Sequence, residues 1–116
     1  MSDQLTDQRF IIEMGIGVDQ YGQDRTKAAC KAVTHAISFA SLSLFANMGI
    51  DRDQVRLKIT IGSDKPGEVN TSEVAKALPF GEPEIVINSG GLQVQDGGKT
   101  IIVANAAVEV FLPKQT

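Results

Sequence analysis

The chain has 116 residues, 42% of them apolar, with a net charge of −3 and an isoelectric point near 5.0. That suits one globular domain and argues against a disordered chain or a basic nucleic-acid-binding face. No apolar run approaches the roughly 20 residues that a membrane helix needs, and the single cysteine, Cys30, excludes an internal disulfide. The polar start, MSDQLTDQR, has no secretory pattern. Together these point to a cytoplasmic protein without nucleic-acid or membrane partners. With no Trp, one Tyr and five Phe, its core must be built mostly of Val, Ile, Leu and Ala.

Residues 1–8 read as a loose leader. From Phe10 to Val18 every even position is apolar, which is the period of a strand. The other face of that strand carries Ile11, Glu13, Gly15, Gly17 and Asp19. Asp24 is a plausible N-cap for a helix running from Arg25 to about Ala46, with an Ala-rich stripe that suits close packing on a sheet. Asn47 and Gly49 end it. Val55–Ile61 alternates as a second strand, with Arg56, Lys58 and Thr60 on one side. Asn70 opens a short helix in a capping-box pattern, and Pro79 stops it. A third strand covers about Glu84 to Asn88 and resumes at Leu92 after Ser89-Gly90-Gly91. Asp96-Gly97-Gly98 makes a hairpin turn into a last strand, Lys99–Leu112. The expected fold is an α+β two-layer sandwich, β-α-β-α-β-β, with a four-stranded mixed sheet and the helices on one face.

Both faces of the last strand are largely apolar. Ile102, Ala104, Ala106, Val108, Val110 and Leu112 alternate with Ile101, Val103, Asn105, Ala107, Glu109 and Phe111. Helices cover only one face, so the other is expected to be covered by another copy of the chain. A trimer whose sheets close around a shared centre is the simplest assembly, and a dimer the next.

The stretch MGIGVDQYGQDRTKAAC, Met14 to Cys30, joins the first strand to the first helix. It lacks the third glycine of a dinucleotide fingerprint, because position 20 is Gln20, and it is no P-loop. Two readings stand. The glycines allow close helix packing and a tight turn. Alternatively, the helix N-terminus with Lys27 holds an anion, against the repulsion of Asp19 and Asp24. Asp19, at a strand end and expected on the uncovered face with Glu13, Arg56 and Lys58, is the first candidate for chemistry.

The segment Gly15 to Ala29, with Lys76 to Gly81, Gly90 to Leu92 and Asn105 to Val110, resembles a small family of hypothetical proteins of bacteria and plants, a Lin-type family. Its signature is GxGxDxHG followed by a Gln-Asp-x-Thr-Lys-Ala-Ala helix start. The resemblance spans nearly the whole chain and implies no assigned function. Tyr21 stands where that signature has His, which would remove an imidazole base or ligand.

Three further features invite a chemical reading. His35, the only histidine, has no partners for a metal site and reads as a helix-edge residue. Cys30 reads as a buried, inert thiol. Ser89-Gly90-Gly91 places a hydroxyl beside backbone N–H groups. It reads either as a β-bulge or as a segment resembling ring-opening amidohydrolases of the cyanuric acid and barbiturate type.

The sequence reading is therefore of a small cytosolic oligomer that binds or transforms a polar metabolite at a metal-free site between subunits. Asp19, Tyr21 and Ser89 are its candidate catalytic residues. Gly15, Gly17, Gly22, Lys27, Lys58 and Asn105 are its candidate ligand contacts. The alternative is a non-catalytic structural or regulatory oligomer in which GIGVDQYG serves only the turn. No cofactor is indicated.

Overall fold

The computed structural model describes residues 7–40, 44–78 and 83–113. Five strands, β1 (Asp7–Asp19), β2 (Arg56–Ser63), β3 (Glu84–Ser89), β4 (Leu92–Asp96) and β5 (Lys99–Pro113), form one mixed sheet. Its order is β1-β5-β2-β3, with β4 also paired to β5. β5 is antiparallel to β1, β2 and β4, and β2 is parallel to β3. The helices are α1 (Arg25–Ser38), α2 (Leu44–Asn47) and α3 (Thr71–Lys76), with short 3-10 turns at Arg52–Gln54 and Pro66–Glu68.

The α+β class holds, but the strand count expected from sequence is one too low. Ser89-Gly90-Gly91 does not interrupt one strand. β3 pairs with β2, the Gly90 N–H bonds to Ser63 O at 3.0 Å, and the chain then crosses to pair β4 with β5. The segment therefore joins two strands with different neighbours and is no bulge. The first helix is also shorter than its stripe suggests. Near Ser38 the backbone tightens to i−3 bonds, Phe39 N–H to Ala36 O and Ala40 N–H to Ile37 O, and the Ser38 hydroxyl donates to His35 O at 2.6 Å. Those groups satisfy the carbonyls that another helical turn would have used. Residues 1–6 of the expected leader and the Pro79 stop lie outside the described residues, and its last two, Asp7 and Gln8, belong to β1 instead.

Both predicted caps form. Asp24 accepts from Lys27 N at 3.0 Å and Asn70 from Glu73 N at 3.2 Å. The core lies between the sheet and α1. It is built of Leu57, Ile59 and Ile61 from β2, the even positions of β5 from Ile102 to Leu112, and Ala28, Ala29, Ala32, Val33 and Ala36 from α1.

One placement is the reverse of the sequence expectation. Gly15 and Gly17 pair with Ala106 and Ala104, whose side is covered by α1. A Cβ on Gly15 would strike the backbone of Ala32 and Ala36, and one on Gly17 that of Ala28 and Ala32. The helix thus rests on bare strand, along an alanine stripe at i, i+4 and i+8. The bulky even residues of β1 are consequently left on the uncovered face, where Met14 is 67% and Ile16 57% exposed. Reading the apolar set as the buried set fails here because the closest contact needs no side chain at all.

Candidate functional site

The turn after β1 is where the sequence placed most of its chemistry. Asp19 pairs with Ile102 on the covered side and is 3% exposed. Its Oδ2 accepts the N–H of Gly22 at 3.2 Å and of Asp24 at 2.8 Å, and Lys27 Nζ lies 3.9 Å from Oδ1. The carboxylate thus closes its own turn and does not share the uncovered face with Arg56 and Lys58 as expected. Glu13, opposite Val108, is on the covered side too. Tyr21 is 83% exposed, with Lys99 Nζ 5.0 Å from its ring centroid. Gly15, Gly17 and Gly22 serve packing and the turn.

Arg25 and Asp64, which sequence reading passed over, anchor this end of the molecule. Arg25 Nη2 and Nε donate to Asp64 at 2.7 and 3.1 Å, Nη1 to Gln23 O at 3.1 Å, and Gln93 adds a bond to Asp64 at 3.2 Å. Hydrogen bonding from Arg25 holds the Asp64 carboxyl below the usual range, against its desolvation. The same bond raises the Arg25 pKa. Burial, helped by Glu73 and Asp24, raises the Cys30 pKa and keeps the thiol protonated.

The concavity lies elsewhere, on the uncovered face. It is a half-open hollow of about 650 Å³, with Thr60, Asn88 and Asn105 as its polar side chains, Ser89 and Gly90 at its end, and Met14 and Ile16 among its apolar walls. The register explains the grouping. Ile16, Asn105, Gly62 and Asn88 stand in one row across β1, β5, β2 and β3, and Met14, Ala107, Thr60 and Val86 stand in the next. Asn105 leans over Gly62, where a Cβ would overlap its Oδ1. Among the described residues the side chains of Thr60, Asn88, Ser89 and Asn105 make no hydrogen bond. Ser89 and Asn105 were sequence candidates. Thr60, Gly62 and Asn88 were missed, because nothing local marks residues that only strand pairing brings together.

His35 reaches the margin of this concavity. It lies beside the outer edge of β1, where its Nδ1 accepts the Ile16 N–H at 3.0 Å, while Lys31 Nζ donates to Val18 O at 3.0 Å. One turn of α1 thus satisfies two outward groups of an edge strand. Because Nδ1 accepts, the ring proton sits on Nε2, which is then a donor and no base. Lys58 lies a row away, between Glu84 and Glu109 in the register. Arg56 approaches Glu84 at 3.8 Å, and Arg9 approaches Glu109 at 3.2 Å. Among the described residues no group of three or more His, Cys, Asp or Glu is placed to hold a metal ion. None of their helices is long and apolar enough to cross a membrane.

The family model of a conserved hypothetical protein, Lin0512, matches residues 9–110. This chain belongs to the Lin0512 family. The match runs from β1 through most of β5 and includes both the closed turn and the concavity. A solved structure similar to this Lin0512 protein is an FtsZ-like protein of unknown function from Nostoc punctiforme. It is 33% identical, covers 94% of this chain and 98% of its own, and has a TM-score of 0.81. No curated protein matches the chain.

Proposed function

We propose that this Lin0512 protein is a homo-oligomer that binds a small polar metabolite on the uncovered face of its sheet, in the concavity around Asn105. The observation that carries the reading is the set of two exposed side-chain amides and the Thr60 hydroxyl there, without a protein partner among the described residues and set among exposed apolar side chains. Polar groups without partners in an apolar concavity are what a ligand site offers. A second copy is the proposed cover because the face complements itself. Ile12, Met14 and Ile16 occupy the β1 margin, and Lys58 stands beside Arg56 on β2 between Glu109 of β5 and Glu84 of β3, so two copies can match apolar to apolar and opposite charges to each other. Two or three copies satisfy that description.

Binding is preferred to hydrolysis. A nucleophilic Ser89 needs a base beside it, and its register with the buried Ser63 turns its side chain to the covered side of the sheet, off the face of the concavity. The resemblance to the family signature, with Tyr21 in the place of His, also leaves the turn without an imidazole. Light scattering at micromolar concentration tests the assembly, and a monomer mass overturns it. Ligand-observed NMR with a metabolite panel tests the site. Binding that survives Asn105→Leu unchanged places the ligand elsewhere.

The second reading is a non-catalytic oligomer in which the uncovered face is only an interface. The exposure of Met14 and Ile16 favours it, and binding by any metabolite at the Asn105 row argues against it.

A further inference from the structure

We infer that the concavity selects a neutral, planar molecule carrying a carboxamide or lactam. The inference rests on the reading of that concavity as a ligand site and names the chemistry it would read. Two side-chain amides, Asn105 and Asn88, stand in one row on either side of Gly62, the only position of the row without a side chain. Strands lie about 4.8 Å apart, so the two backbones are separated by roughly 10 Å. The Asn105 carboxamide occupies the space over Gly62, and Gly90 packs against the same glycine, so it is the Asn105 amide itself that lines the concavity there. Thr60, one row away, adds a hydroxyl that donates or accepts.

The charge around the concavity decides the class. Among the described residues neither a carboxylate nor a Lys or Arg lines it. The nearest charged row, Glu109, Lys58 and Glu84, carries both signs. An anion or cation entering the concavity would lose water without gaining a counter-ion there. A carboxamide offers a donor and an acceptor side by side, and its complement is another amide edge with the same spacing. Met14, Ile16 and Ala107 supply apolar surface for the plane of such a ligand. His35, with its proton on Nε2, adds a donor at the margin.

A matched pair tests this. Nicotinamide and nicotinate share one ring and differ in carboxamide against carboxylate. Each is titrated into the isotopically labelled full chain, following backbone and Asn side-chain amide signals. The expected result is that nicotinamide shifts the signals of Gly62, Asn88 and Asn105, that nicotinate binds roughly tenfold more weakly or less, and that Asn105→Leu weakens nicotinamide by a similar factor while the melting temperature holds. Asn88→Leu is the parallel variant should Asn105→Leu fold poorly. Equal or tighter binding of nicotinate with shifts at the same row overturns the ligand class and leaves the site standing. Shifts confined to residues outside that row, or none with either probe, overturn both the site and the class.

Discussion

Arg25 and Asp64 are joined by two parallel hydrogen bonds of 2.7 and 3.1 Å, and they tie the first turn of α1 to the loop that leaves β2. The Arg25 side chain is almost wholly buried, with Glu68 a second, longer partner at 3.8 Å. Removing Asp64 therefore strands a buried cation. Asp64→Ala is expected to lower the unfolding free energy by about 3 kcal/mol, measured by urea denaturation. A loss under about 0.5 kcal/mol would place the pair among exposed ion pairs.

The same pair sets an acid limb. The folded-state pKa of Asp64 is depressed, chiefly by the Arg25 hydrogen bond. Its contribution is fully present above the unfolded carboxylate pKa of about 4 and is lost as pH falls through the lower folded value. Stability should thus fall on acidification below about pH 4, and the fall should be shallower in Asp64→Asn. Parallel acid limbs in the two proteins would contradict this.

The seam between β1 and α1 leaves no volume. Gly17→Ala forces a methyl group into the backbone of Ala28 and Ala32, and a loss of about 1–3 kcal/mol is expected from denaturant midpoints. Gly67→Ala is the control, since nothing lies within 4 Å of its added Cβ. Equal midpoints for the two variants would show that the helix does not rest on bare strand.

Asp19 is expected to act on stability alone. Asp19→Ala removes the acceptor of two backbone N–H groups and should cost about 1–2 kcal/mol. Binding of any ligand at the Asn105 row should be unchanged by titration. A loss of binding without a loss of stability would return the turn to the functional site.

Much of the fold was legible because its signals are local. The Asp24 and Asn70 caps and the Asp96–Lys99 hairpin with its two glycines announce themselves within a few residues. The face of β1 was not legible, because Gly15 and Gly17 are buried by what they lack, and an apolar count ranks Met14 and Ile16 above them. The row of Asn105, Gly62 and Asn88 depends on β5 pairing with β2 and β2 with β3, a strand order that no spacing in the chain encodes. Asp19 drew attention as an acid at a strand end, and its carboxylate is used up by its own turn.

Methionine oxidation tests most directly whether the uncovered face is the working surface. Met14 lies on that face and is 67% exposed in the isolated chain, against 39% for Met48. Under brief peroxide treatment of the native protein, followed by peptide mass spectrometry, exposure within one chain makes Met14 the faster to form sulfoxide. If a second copy covers the face, the order reverses and Met48 oxidises first. Met14→Asp should then yield a monomer with unchanged far-ultraviolet circular dichroism. Faster oxidation of Met14 than of Met48 in the native protein would contradict the account.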